Sequence, residues 1–391
     1  METNNTSTPA ERLPRKHSGA DMTIFSVMSM LAQECGAVNL SQGFPDYPID
    51  ARLMENLFEA ARKGMNQYAP MAGLPALQLE ICTHVTRQTG VACTPDQVTV
   101  TPGASYGIYT ALATILQAGD EVIILEPAYD SYIPAIEVNG GTVVPVALQP
   151  GTFAPDWQLI ADRISPKTKA IIVNTPHNPT GTVWSTADWE QLYQLIAGKQ
   201  IYIISDEVYE QVIFDGVLHN SVWSHEGLRE HCFAIYSFGK ALHNTGWKVG
   251  YVLAPADLSK AFRRIHQYLA FSVNTPAQGA VAAFMAQQQV NDSSLILEQK
   301  RNYFIELLKD LPFTIPYISK GSYFQLADYS AVSDLPDTEF AKWLTREAGV
   351  ATIPISAFYR KGSDQRLIRF CFAKKEETLS EAVNRMKARL L

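Results

Sequence analysis

At 391 residues, with 47% hydrophobic and 18% charged positions, the chain exceeds the usual span of one core, so two domains are expected. A formal net charge of -7 with no long basic run gives no pull toward nucleic acid or an anionic membrane, and neither is expected as a partner. Five scattered cysteines, an odd number with no C-x-x-C pair, speak against a disulfide framework and against a cysteine-held metal, so a reducing compartment and no metal are expected.

The first 21 residues are polar and lack the apolar stretch of a secretory signal, and no run of about 18 apolar residues follows. A cytoplasmic protein with a mobile polar tail over 1–21 is the expectation. Residues 22–34 carry apolar positions at helical spacing, and Asn39-Leu40-Ser41-Gln42-Gly43-Phe44-Pro45-Asp46 reads as a turn. A helix over 50–63 precedes a loop at 66–73 that contains Tyr68.

From Gln97 onward, short β-branched runs alternate with helical periods, the runs lying at 97–101, 121–125, 142–148, 170–174, 201–205 and 233–237. This alternation predicts a mostly parallel sheet flanked by helices, an α/β fold. One intervening helix carries Ile108, Leu112, Ile115 and Leu116 and stops at Gly119. Another opens at Ser185 with Asp188 three residues on and stops at Gly198. Beyond Pro255 the pattern changes to helical stretches at 256–271, 277–290 and 294–311. Strands at 323–326, 350–353 and 367–372 then mix with helices at 337–348 and 376–390, as in a smaller α+β domain.

Gly103-Ala104-Ser105-Tyr106-Gly107 matches the G-x-S-x-G nucleophile elbow between a strand and a helix. A hydrolase of that kind needs a late general-base histidine, whereas the last histidine is His266. The same small residues at a helix start suit a phosphate instead, because backbone N–H groups can approach it there. Lys240 closes Ser237-Phe238-Gly239-Lys240 just after an apolar strand, and Asp206 and Asn178 stand beyond two other strands. In an open α/β sheet such positions converge on one cleft. A phosphate cradle, an amine and a carboxylate together suit pyridoxal 5'-phosphate, whose aldehyde needs an amine and whose ring nitrogen needs an anion.

The stretches 39–43, Asn174-Thr175-Pro176-His177-Asn178-Pro179-Thr180-Gly181, Ser205-Asp206-Glu207-Val208-Tyr209, Ser237 to Lys240, Thr245-Gly246-Trp247-Lys248-Val249-Gly250 and Ile368-Arg369-Phe370-Cys371-Phe372 resemble the class I/II aminotransferases of PLP fold type I. The resemblance runs from about residue 22 to the end, and the chain is most similar to methionine aminotransferases and the kynurenine aminotransferase/glutamine transaminase K group, with 271–278 and 371–376 particularly resembling the methionine branch. It implies an N-terminal segment at 22–48 that joins the small domain and the lip of the active site, a large PLP-binding domain at 49–280 and a small domain at 281–391. It also implies a homodimer with both sites at the interface, and amino acid and 2-oxo acid substrates exchanged by a ping-pong mechanism.

Residue by residue, the resemblance makes Lys240 the catalytic amine and Asp206 the partner of the ring nitrogen. Asn178 and Tyr209 would bond the phenolic oxygen, and Tyr129 would stack on the ring. Gly103, Ala104, Ser105, Ser237 and Lys248 would take the phosphate, with Tyr68 reaching over from the other subunit. Lys248 stands where the family often has arginine, which keeps the charge without the bidentate fork. Arg369 would grip the substrate α-carboxylate with the backbone of Gly43, Asn178 would also touch substrate, and Phe25 would line the side-chain pocket with Ile24 and Phe358. A carbon-sulfur β-lyase shares every cofactor residue and is the alternative reading. A transcriptional regulator would need a DNA-binding module that some 20 residues before Asp21 cannot fold.

Overall fold

The computed structural model describes residues 13–18, 22–287 and 293–391. In chain order, helix α1 (Ile24–Glu34) leads to the short strand β1 (Val38–Asn39), helices α2 (Ala51–Arg62) and α3 (Pro75–Thr89), and strand β2 (Val98–Thr101). Helix α4 (Ala104–Ile115) opens an alternating stretch: β3 (Glu121–Glu126), α5 (Tyr132–Val138), β4 (Thr142–Ala147), α6 (Trp157–Arg163), β5 (Thr168–Asn174), α7 (Thr186–Ile196) and β6 (Tyr202–Asp206). A short helix α8 (Glu226–Arg229), strand β7 (Cys232–Ser237), the single turn α9 (Phe238–Ala241) and strand β8 (Gly250–Leu253) follow. Helices α10 (Ala256–Leu269), α11 (Thr275–Ala286) and α12 (Ser293–Leu308) precede β9 (Phe324–Asp328), α13 (Asp337–Glu347), β10 (Val350–Ala351), β11 (Ile353–Pro354), β12 (Leu367–Cys371) and α14 (Glu376–Leu390).

Seven strands form one sheet in the order β2-β8-β7-β6-β5-β3-β4, the fold is α/β, and β8 alone runs against its two neighbours. Strands such as β5 and β6 are buried along nearly their whole length because helices cover both faces, which is why they read as unbroken apolar runs. Helix α7 starts where the sequence places it: the Ser185 hydroxyl accepts from the Asp188 amide and the Asp188 carboxylate accepts from the Ser185 amide, a reciprocal cap worth about 1 kcal/mol.

The remaining strands form a three-stranded antiparallel sheet, β11-β12-β9, beside the parallel pair β1-β10. The run expected as one strand over 350–353 is divided: Val350 and Ala351 pair with β1, and after Thr352 the chain turns to pair with β12. The Thr352 hydroxyl bonds the Arg369 carbonyl at this switch. Segment 38–46 is therefore tied to the C-terminal sheet: Cys371 N donates to Leu40 O, the Lys374 ammonium to Phe44 O, and Asp46 accepts from Lys375 N and the Thr378 hydroxyl at the start of α14. That lashing holds Ser41 and Gly43 over the large sheet.

Helix α3 stands where the sequence places none, whereas α5 and α6 fill the helical periods expected between the strands. The buried face of α3 mixes Gln78 and His84 with Leu77, Ile81, Cys82 and Val85, so no clean apolar stripe announces it. Strand β8 is likewise unread, because only four residues follow a Gly-punctuated run. The helix expected at 277–290 ends at Ala286, and its last three residues, like 1–12 and 19–21 of the polar tail, lie outside the described residues. Among the described residues no helix is long and apolar enough to cross a membrane.

Candidate active site

A cavity of about 740 Å³ opens where the C-terminal ends of β5, β6 and β7 face the small sheet, the usual place for a ligand in an open α/β sheet. Asp206 ends β6, Asn178 follows β5 by four residues, Tyr129 follows β3 by three, and Lys240 sits on the turn after β7. All four line the cavity, as do Ala104, Ser105, Tyr209, Gly43, Phe25 and Arg369.

Asp206 is held from two sides. The Tyr132 hydroxyl donates to its Oδ2 at 2.5 Å, and Asn174 Nδ2 donates to its backbone carbonyl at 2.8 Å while Asn174 Oδ1 accepts from Asn178 N. Burial pushes the Asp206 carboxyl up to about 6, and the Tyr132 hydroxyl restrains that rise by bonding the ionised form. Behind it, the fully buried Glu207 accepts from the Ser205 and Tyr236 hydroxyls, from Val222 N and from His219 Nε2, with every contact at 2.7–3.0 Å. The end of β6 is thus fixed by hydrogen bonds reaching four other segments.

Lys240 donates to Gly43 O at 3.1 Å and lies over the rings of Tyr209 and Tyr323. Burial lowers its amine to about 8. The Tyr323 hydroxyl bonds the Lys240 carbonyl and fixes the turn.

The start of α4 forms a second polar end. Gly103 caps it at φ +83°, and a Cβ there would come within 3.2 Å of Lys248 Nζ. Lys248 itself takes the left-handed conformation, φ 54°, which a non-glycine residue adopts at an energetic cost and which is frequent at functional sites. Ser237 pairs with Gly250, whose missing Cβ would otherwise meet Ala104 N at 3.3 Å. An ammonium therefore stands over exposed helix N–H groups, and both favour an anion.

Arg369, on the central strand of the small sheet, is 1% exposed. Its Nη1 donates to Asn178 Oδ1 at 2.6 Å and its Nη2 to Ser41 O at 2.7 Å, while Nε has no partner. The guanidinium lies 3.8 Å over the Phe324 ring and 5.2 Å from those of Phe25 and Phe358, and burial lowers its pKa to about 10.

Tyr68 lies outside this group: it is 82% exposed and meets Phe271 edge-on. Ile24 packs against the main core and does not line the cavity, whereas Phe358 contacts Phe25 edge-on at 5.9 Å. Arg263 is engaged with Thr99, Pro95 and Val98 under β2, away from the cavity. Sequence reasoning missed Asn174, Phe324, Asp130 and the support from Tyr132. The signal for Tyr132 and Asp130 was their place beside Tyr129.

The residues fit a phosphorylated aldehyde cofactor, because the α4 cradle admits only glycine at 103, the amine and the carboxylate share the cavity, and a buried guanidinium keeps a spare donor. The comparisons point the same way. The family model for aminotransferase class I and II matches residues 36–386. Methionine aminotransferase from Escherichia coli (strain K12) is 47% identical over 388 residues, spanning 98% of this chain and 99% of that protein. Kynurenine–oxoglutarate transaminase 1 from Rattus norvegicus is 35% identical, with 95% and 97% covered. Among solved structures, YbdL from E. coli, identified as having a methionine aminotransferase function, superimposes with a TM-score of 0.93 at 47% identity over 96% of this chain and 99% of that one. N-succinyldiaminopimelate aminotransferase from Mycobacterium tuberculosis gives 0.92 at 34% identity, covering 96% and 99%. With a family match running from the turn over the cavity to the last helix, the chain belongs to the class I and II aminotransferases and is an amino acid aminotransferase.

Proposed function

We propose that this aminotransferase uses pyridoxal 5'-phosphate in a ping-pong exchange between an amino acid of the methionine, aromatic or glutamine type and a 2-oxo acid. When bound, the cofactor supplies an aldehyde carbon for the substrate nitrogen and a ring that withdraws electrons from the substrate Cα. The reading is carried by one observation: a half-buried amine, a buried carboxylate and a buried guanidinium, from three separate elements, line a single cavity.

Lys240 then serves as the base. Its amine, lowered to about 8, gives up and regains a proton near neutral pH, so it would take the proton from the substrate Cα and deliver it to the cofactor's aldehyde carbon on the far side of the substrate nitrogen. Asp206 holds a negative charge toward the ring nitrogen, oriented by Tyr132. Asn178 and Tyr209 would offer an amide and a hydroxyl to the phenolic oxygen, and Tyr129 would support the ring. Gly103, Ala104, Ser105, Ser237 and Lys248 would hold the phosphate, completed by Tyr68 of the partner subunit. Arg369 takes the α-carboxylate, with its free Nε and the Gly43 backbone beside it.

The rings of Phe25, Phe324 and Phe358 around Arg369 support a thioether or aromatic side chain, since sulfur and ring contacts on aromatic faces are favourable by about 0.3–1.5 kcal/mol. A homodimer is supported by exposed apolar side chains on α2 and on the segments around Tyr68 and Phe271, namely Met54, Phe58, Met65, Tyr68, Tyr268 and Phe271. Five free thiols support a cytoplasmic location. Borohydride treatment of the cofactor-loaded protein, followed by peptide mapping, should label Lys240; a label on another lysine sinks the assignment.

A further inference from the structure

Four charged side chains line the cavity: Lys240, Arg369, Asp206 and Asp130. The roles proposed above employ the first three, so the charge left over is a carboxylate. Asp130 stands between Tyr129 and the start of α5, half-buried. Burial raises its carboxyl, and the nearby charge of Arg369 and the N–H of Ser131 restrain that rise. No ion pair neutralises it among the described residues.

We infer that Asp130 is a specificity-determining residue, which rejects substrates bearing a second carboxylate and favours side chains that are neutral or can donate a hydrogen bond. The inference rests on the assignment of Arg369 to the α-carboxylate. An acidic side chain admitted with its α-carboxylate on Arg369 brings a second anion into the cavity that Asp130 lines, and the other cation, Lys240, donates to Gly43 O. At a separation of roughly 6 Å and an effective dielectric near 20, that repulsion corresponds to about a hundredfold in binding, or about tenfold where water screens it. An amide of the same length offers N–H donors to the same carboxylate. Glutamine and glutamate, nearly equal in shape, therefore isolate the effect.

The test uses the cofactor-loaded protein with each amino acid and one 2-oxo acid acceptor. Wild type should prefer glutamine to glutamate in kcat/KM, and Asp130→Asn, which keeps the turn's side-chain acceptor, should narrow that ratio by at least about tenfold. Asp130→Glu should preserve it, since the charge remains. An unchanged ratio in Asp130→Asn overturns the inference. So does an equal loss for both substrates, which would mean that Asp130 only holds Arg369 or its own turn. Inhibition of wild type by succinate and butyrate gives a reading that needs no variant: succinate should bind at least about tenfold more weakly, and equal binding also overturns the inference. Methionine turnover separates the two levels of the proposal. Normal methionine turnover with an indifferent glutamine-to-glutamate ratio sinks the role of Asp130 alone, whereas no turnover of any amino acid by wild type sinks the transaminase reading and this inference with it.

Discussion

The two sides of the cavity are built differently. On the large sheet, Asp206 sits in a closed set of hydrogen bonds through Tyr132 and Asn174, with Glu207 satisfied behind it by two hydroxyls, an amide and His219. On the small sheet, Arg369 has two donors engaged and one free, and most of its surroundings are aromatic rings. A group that faces the same partner in every turnover gains from being fixed in place. A group that meets a new carboxylate each half-reaction needs a donor in reserve, and the rings that desolvate it strengthen the bond it makes. The difference separates a standing site from a receiving one.

Removing Arg369 is the sharpest way to break this contrast. Arg369→Ala should raise KM for amino acids by a factor of about thirty or more, since truncating one member of a buried charged pair costs about 2–5 kcal/mol. Amines lacking a carboxylate should be little affected. If both substrate kinds lose equally, Arg369 supports the fold through Asn178 and Ser41, and the small sheet has no receiving role.

The standing side should cost stability in the cofactor-free protein. Lys240 is ordinarily protonated up to 10.5 and here only to about 8 because it is buried. Below pH 8 the ammonium is present in both the folded and unfolded chain, so the full burial penalty applies. Between about 8 and 10.5 only the unfolded chain keeps the proton, and wild-type stability rises relative to a chain lacking the amine. Lys240→Met should therefore stabilise the cofactor-free protein at pH 7 by up to about 3 kcal/mol, with the gain fading as pH passes from 8 to 10.5. Denaturant unfolding at pH 7 and pH 10 measures it. A gain of the same size at both values would point to packing by methionine rather than to relief of a buried charge.

The alternation of strands and helices, and the strand ends carrying Asn178, Asp206 and Lys240, were legible because parallel strands buried on both faces leave unbroken apolar runs with polar residues just beyond them. Arg369 was legible for a related reason, as a cation in the middle of an otherwise apolar strand. What lay hidden depends on direction in space. Tyr132 opens a seven-residue helix with no readable periodicity and Asp130 stands two residues before it, and only the folded chain aims one at Asp206 and places the other in the cavity. The split of 350–353 between two sheets was hidden too, since both halves are equally apolar and the turn at Thr352 is decided by what each half meets. Tyr68 was named from resemblance, and a single chain leaves it at the surface.

Tyr132 offers the finest test of the standing side. Its hydroxyl is the foremost of the groups that work against burial to keep Asp206 ionised, ahead of Val208 N–H and the Lys240 charge, so cofactor uptake should weaken in wild type as pH falls through about 6, where Asp206 takes up a proton. Tyr132→Phe removes a bond to a charged acceptor, an interaction worth about 1.5–3 kcal/mol. The Asp206 carboxyl should then rise further, and the acid limb of the cofactor dissociation constant should move up by about one to two pH units. Above that limb the two proteins should bind the cofactor alike, because the phosphate end at Gly103 and Lys248 is untouched. A limb that stays in place would show that another group titrates there and that Tyr132 merely fills space. A uniform weakening at every pH would mean that Tyr132 positions the Asp206 carboxylate without setting its charge.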